Sequence, residues 1–505
     1  MLKSNRWSEK IIGDREAGSP LLWLAPLIAL LVSGCLGLLI PSLMSKLSSV
    51  GGTFTENIVA FGPTFWGFII GILLIALIMV LRQNELAVTI IIVSSITVDL
   101  YLGLYFVSLL IAFALLFAFY LERFPWIQPP ALWVWVLFLV LAIFPAIRGV
   151  TFFDSMQYYV RVFLSAFILF WIGTLLARDI ARIRRLLKML YIFGIIVALL
   201  TIIQALTGKF LLSTSHYAAQ LQSVAGYQLG STGISRPGAF LINPDPNGCF
   251  LAMMLILGLG LLVESPFLMN KVLFFIGSLL MVLALLFTFS TEGMLAAIAG
   301  IMILLALVGR MRYRIFFLLL LIGAALVIFI FVPTQIALLL QHAEAPNEFQ
   351  LRLGAWQTGI RVIQAHPLTG LGLGNDVYQL RSNPYRVPAQ YRILDHPHDA
   401  YLEWAALGGI PILIIFIILL SLALWLAFHN WRLADGIHGR PLIGVGIAVV
   451  AALCVYSLSD AGWTFAPLAS TGWMMLGLIS SPFLRMREKS NNLQEDNNKT
   501  KSNVV

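Results

Sequence analysis

Long apolar runs separated by short polar breaks set the pattern of this chain. They fall near 21–40, 58–81, 86–102, 103–121, 131–148, 158–177, 186–207, 247–263, 271–289, 292–309, 314–332, 401–428, 441–460 and 464–484. Only a weak polar break at Asp99 divides the pair within 86–121, so the pattern predicts 12–14 helices. A run of about twenty apolar residues, rising about 1.5 Å each, crosses a hydrocarbon core of roughly 30 Å. The expected fold is therefore all-α, a polytopic membrane protein. Neither a fixed-period repeat nor a matching pair of broken helices is visible, which speaks against a secondary transporter.

Two polar segments interrupt the runs, 208–246 and the longer 333–400. Within the second, Glu348 to Ala365 reads as an amphipathic helix. Phe349, Leu353, Trp356, Ile360 and Ile363 recur at helical spacing, which predicts that they share one buried face. Arg352 lies at the border of that face and reaches toward a site beneath the helix, while Arg361 points the other way as a solvated charge. The helix is expected to stop at His366-Pro367. Gly370, Gly372 and Gly374 follow, without the Lys and Ser/Thr of a phosphate-binding loop or a preceding strand, and read as a flexible turn.

Composition sharpens the class. Of 505 residues, 60% are apolar and only 11% charged, against roughly a quarter charged in soluble domains. A soluble enzyme, a disordered chain and a disulfide scaffold are excluded. Cys35, Cys249 and Cys454 lie in or beside apolar runs, far apart in sequence, and read as small packing residues. The net charge of +9 would suggest nucleic acid if read alone, but its distribution gives it another meaning. With the amino terminus in the cytoplasm, 22 of the 32 Lys and Arg fall on the cytoplasmic side, including the cluster Arg178, Arg182, Arg184, Arg185 and Lys188. No nucleic-acid partner is expected. The first apolar run lacks a small-residue cleavage site and reads as a retained span. The expected organisation is a cytoplasmic segment 1–20, membrane helices 21–207, a periplasmic loop 208–246, membrane helices 247–332, a large periplasmic loop 333–400, membrane helices 401–484 and a polar cytoplasmic tail 485–505.

Against the general bias, the two outer loops hold Lys209, Arg236, Arg352, Arg361, Arg381, Arg386 and Arg392, with His216, His342, His366, His396 and His398. Guanidinium groups bind phosphate bidentately, so a phosphate-bearing ligand at the outer leaflet is the expected partner. In His396-Pro-His398-Asp399, Asp399 is a good N-cap for the helix that follows. His398 then sits ahead of a helix amino terminus, whose partial positive charge disfavours imidazolium. A neutral imidazole suits a general base for a hydroxyl. An interfacial packing histidine, or a metal site built from His396, His398 and Asp399, are the other readings of the same spacing. Arg236 beside apolar helix ends requires a partner, either Asp245, Glu292 or a ligand phosphate. Asp99, Asp154, Glu292 and Asp460 stand at outer helix ends, where each could steady an arginine or orient the base.

Arg352-x-x-x-Trp356, His366-Pro-Leu-Thr-Gly-Leu-Gly-Leu-Gly374, His396-x-His398, Tyr401-Leu-Glu and Gly408-Gly-Ile-Pro411 together resemble the shared domain of bacterial O-antigen ligases and O-antigen polymerases. Arg236-Pro-Gly-Ala-Phe with Asn247 is similar to that family's upstream arginine motif. The resemblance covers about 200 residues, Arg236 to Phe428, and rests on the order and spacing of the pieces. It implies a GT-C-like, inverting glycosyltransferase of the inner membrane that needs no metal or other cofactor. The donor would be an undecaprenyl-diphosphate-linked glycan and the acceptor lipid A core or another glycan, at the periplasmic face among membrane lipids. His398 matches the catalytic histidine and Arg236 a diphosphate-binding arginine, with Arg352, Arg386 or Arg392 supplying the second cation. His396, Asp399, Trp356, Asn247 and Tyr401 would support the site, Trp356 and Tyr401 by packing against sugar or prenyl. Two positions depart from the family pattern. Asp399 replaces an asparagine and is placed to pair with His398, and Thr291-Glu292 follow Ser290 where an arginine is usual.

Overall fold

In hydrocarbon every backbone N–H and C=O must be paired within the chain, and a helix pairs them locally. The computed structural model describes residues 128–178, 180–208, 236–241, 243–308, 346–387, 396–434 and 436–484, together with Glu85, Val88, Thr89 and Ile92. Among these residues the regular structure is entirely helical. The helices are α1 (Leu132–Ile147), α2 (Phe152–Tyr159), α3 (Ser165–Leu176), α4 (Ile180–Thr207), α5 (Pro244–Glu264), α6 (Leu268–Thr288), α7 (Thr291–Val308), α8 (Pro346–Ala365), α9 (Val377–Arg381), α10 (Ala400–Gly408), α11 (Ile410–Leu433), α12 (Gly436–Tyr456) and α13 (Ala466–Ser480). A π turn, Val160–Leu164, joins α2 to α3.

Six of the described stretches are long and apolar enough to cross a membrane: Asp154–Leu176, Ile180–Thr207, Pro244–Glu264, Leu268–Thr288, Ile410–Leu433 and Gly439–Tyr456. The protein is an all-α, multi-pass membrane protein. The expected spans at 21–40, 58–81, 103–121 and 314–332 lie outside the described residues, as does most of 86–102. The run 401–428 is two helices rather than one. Gly409, at φ 85°, ends α10, and Pro411 in the first turn of α11 starts the next.

Helix α5 is buried along its whole apolar length and packs against α4, α6, α7 and α12. The short α10 is held by aromatic rings instead. Trp404 packs on Phe163 at 5.0 Å and on Phe416 at 5.2 Å, and Trp135, Trp463 and Trp473 continue the cluster. Such pairs add about 0.5–1.5 kcal/mol each beyond simple burial. At the far end of α4, Arg184 pairs with Glu264 at 2.6 Å and Arg185 with Glu85 at 2.9 Å, so part of the basic cluster also ties helices together.

Two expectations about the long polar segment change. The buried face of α8 comprises Gly354, Ala355, Thr358, Gly359 and Val362, while of the expected face Leu353 and Ile360 are exposed and Trp356 and Ile363 only partly buried. Small residues let the neighbouring chain come close, and a Cβ on Gly359 would stand 3.2 Å from Pro397. The glycine run is a pinned strap rather than a flexible turn. Leu371 N–H donates to Ala406 O at 2.8 Å, Gly372 N–H to Leu407 O at 3.0 Å and Leu373 N–H to Pro145 O at 2.9 Å. Gly372 sits at φ 109° with its missing Cβ only 2.7 Å from Arg148 O, so nothing larger fits.

Candidate active site

His396 and His398 lie just before α10, and their rings are 4.4 Å apart. His396 Nε2 and His398 Nδ1 each face Asp460 Oδ1 at 3.7 Å. Asp460 comes from the turn between α12 and α13, which Ala400 N–H reaches by donating to Ser457 O at 2.9 Å. His398 has φ 51°, a left-handed conformation uncommon outside glycine. Trp356 of α8 holds that backbone by donating Nε1–H to His398 O at 3.1 Å. Asp399 caps α10, with Oδ1 accepting from Tyr401 N–H at 2.8 Å and Leu402 N–H at 2.9 Å. Its expected pairing with His398 is thus replaced by Asp460, because the helix amides claim its carboxylate.

Burial lowers the His396 pKa to about 4, with the neighbouring His398 and Arg352 adding to the effect against Asp460. Burial alone would raise the Asp460 pKa, but the facing imidazoles and the Tyr456 hydroxyl at 2.5 Å outweigh it and hold the carboxyl well below its usual range. Asp460 is therefore an ionised carboxylate beside a neutral His396.

His396, His398 and Asp460 offer three ligand atoms within 4.8 Å of one another, and so are the described residues that could hold a metal ion. The hydrogen bonding fits another use better. His398 N–H donates to His396 Nδ1 at 3.1 Å. A neutral imidazole that accepts at Nδ1 carries its proton on Nε2, which here faces Asp460 as an N–H rather than as a lone pair for a metal.

The arginines converge on the α6–α7 junction. Arg236 is buried, pairs with Asp245, and donates Nε–H to Thr288 O at 3.0 Å. Arg352 pairs with Glu292 in the first turn of α7. Burial works against the Arg352 charge, and Glu292 and Asp245 outweigh it, so its pKa is raised. Two guanidiniums and three carboxylates, with two imidazoles, thus occupy one end of the bundle. Arg386 follows the 3-10 turn Asn383–Tyr385, next to the middle of α8 through Val387 N–H to Thr358 Oγ1 at 3.0 Å. Its Nε is buried without a hydrogen-bond partner among the described residues. Arg392 lies outside the described residues.

Asn247 and Tyr401 turn out to brace the fold. Asn247 Nδ2 donates to Thr201 Oγ1 at 3.0 Å and Pro237 O at 3.2 Å. Tyr401 donates to Cys454 O at 3.1 Å, so its hydroxyl is directed into the bundle. Among the four candidate carboxylates the structure makes the choice that spacing left open. Asp460 faces the histidines, Glu292 holds Arg352, Asp154 takes Asn375, and Asp99 lies outside the described residues. The isolated aspartate after an apolar span was the only signal of Asp460.

Residues 276–417, a little over a quarter of the chain, match the family model described as O-antigen ligase. This part of the chain is similar to the O-antigen ligase family domain. No curated protein matches it. The matched segment holds Glu292, Arg352, Arg386, His396 and His398. Arg236 and Asp460 come from outside it and reach the same site through the fold. The match supports a glycosyltransferase-like enzyme of the ligase/polymerase type, acting in the membrane on lipid-linked glycans.

Proposed function

We propose that the protein transfers a glycan, with inversion, from undecaprenyl diphosphate to an acceptor hydroxyl at the periplasmic face of the inner membrane. The observation that carries this reading is the His398–Asp460 pair, set beside Arg236 and Arg352, with His398 and Arg352 inside the segment that matches the O-antigen ligases. His398 presents Nδ1 to Asp460, which leaves Nε2 to take the proton of the acceptor hydroxyl. The freed oxygen attacks the anomeric carbon, and the bond from that carbon to the diphosphate oxygen breaks, its electron pair leaving with the diphosphate. Asp460 stabilises the imidazolium that forms, and Arg236 and Arg352 stabilise the departing charge.

The carboxylates on both arginines limit how this works. Asp245 and Glu292 hold the guanidiniums in place but already neutralise them. A diphosphate therefore needs further positive charge, for which Arg386 and Arg392 are the proposed sources. Lipid A core and a second lipid-linked repeat present the same hydroxyl chemistry, and ligase and polymerase differ only in that acceptor.

The test is conversion of a radiolabelled polyprenyl-diphosphate glycan by the purified chain in detergent. Wild type is expected to form product, with Arg236→Ala raising the donor KM about tenfold or more, as loss of a charge-assisted contact should. Binding of the glycan lipid without turnover would sink the reading in favour of an exporter. The acceptor is read from a deletion strain. Uncapped core identifies a ligase, and core capped with a single repeat identifies a polymerase.

A further inference from the structure

A second polar site lies at the opposite end of α8. A cavity of about 680 Å3 opens between the C-terminus of α1, the strap after α8 and α9. Arg148, His366, Arg381 and Tyr385 supply its polar lining, and no carboxylate is among the described residues lining it. Arg381 is fixed, its Nη1 donating to Leu371 O at 2.5 Å and also to Arg148 O, and its Nη2 to Gly149 O at 3.2 Å. Backbone carbonyls orient this guanidinium but leave its full charge in place. Arg148 caps α1, is exposed, and its guanidinium has no partner among the described residues. His366 Nε2 meets the Tyr385 hydroxyl at 2.8 Å. The cavity thus joins one rigid and one free guanidinium with nothing acidic to neutralise them.

Its border is apolar. Trp133, Leu137, Val140, Phe144 and Ile147 form an exposed stripe at helical spacing along α1 that ends at Arg148, and Leu380 is exposed on the other side. A hydrocarbon chain laid on this stripe would bring its headgroup to the two arginines. Trp356 of α8, which holds His398, and His366 just past its end, which lines the cavity, are ten residues apart, or about 15 Å along the helix axis. The cavity is therefore separate from the histidine site.

We propose that this cavity binds the phosphate headgroup of an anionic membrane lipid between Arg148 and Arg381, with a chain lying along α1. The binding is independent of the transfer reaction. The test is native mass spectrometry and thermal shift of the full chain in mild detergent, titrated with phosphatidylglycerol and, separately, phosphatidylcholine. Phosphatidylglycerol is expected to stay bound and raise the Tm, and phosphatidylcholine to do neither. Arg148→Ala should weaken phosphatidylglycerol about tenfold, the cost of one charge-assisted contact, and Arg148→Lys should keep most of the preference. Since Arg148 is exposed, both variants should melt like wild type without added lipid. Equal binding of the two lipids, or an Arg148→Ala variant that binds like wild type, would overturn the proposal. So would displacement of phosphatidylglycerol by millimolar inorganic phosphate, which would make the cavity a site for free anions.

Discussion

A carboxylate kept ionised away from water needs partners that replace its lost hydration, and Asp460 has the Tyr456 hydroxyl, the Ala461 amide and two imidazoles. Asp460→Asn keeps the shape of the side chain and removes the charge that steadies a protonated His398. Transfer should fall by about a hundredfold, within the range that acid–base catalysis supplies, while donor KM changes little. His396 carries a second expectation. Its folded pKa of about 4 lies below the unfolded value of about 6.5, so the folded state binds fewer protons. The stability this contributes is complete above about pH 6.5 and is lost as pH falls toward 4. Thermal melts of wild type should therefore decline across that window, and His396→Asn should decline less. The Arg352–Glu292 pair behaves differently. Arg352→Ala leaves the buried Glu292 uncompensated and should cost about 2 kcal/mol, less than a fully buried pair because Arg352 is partly exposed. Adding Glu292→Gln should restore part of the loss in the same melting assay.

At the scale of elements, α8 shows what hydrophobic spacing can and cannot say. Phe349, Leu353, Trp356, Ile360 and Ile363 establish that the segment is helical and where it ends, and the helix does stop at Ala365. Spacing alone pointed the large residues inward, as a water-soluble protein would place them. Here the most deeply packed face is built around small residues, Gly354, Ala355 and Gly359, beside Val362, because close approach of the helix to Pro397 is what seats α8 beside the histidines. The strap after α8 departs from the flexible turn its glycines suggest for a related reason, since glycine marks both loose turns and places where two backbones touch. A substitution distinguishes the two. Gly372→Ala sets a methyl group against Arg148 O in a backbone conformation that disfavours L-residues. It should lower stability by about 2–3 kcal/mol, visible as a reduced Tm, whereas a flexible turn would accept it.

At the scale of the molecule, the apolar runs announced the class, and the histidine pair and Arg352 were legible because they fall within one segment of short-range motifs. Asp460 was legible only as one of four candidate carboxylates, because it follows His398 by two membrane helices and only folding brings the α12–α13 turn under α10. Arg236 was legible as a cation in need of a partner, with Asp245, Glu292 and a ligand phosphate left open, and three dimensions choose Asp245 and add the carbonyls of the α6 terminus. The proposed transfer at this junction therefore draws on three separate parts of the chain meeting at one end of the bundle. The most direct measurement is a parallel assay of donor binding and glycan transfer by purified wild type and His398→Ala. The account predicts that the variant still binds the polyprenyl-diphosphate glycan but loses transfer by about a hundredfold or more. Transfer at the wild-type rate by His398→Ala would contradict it.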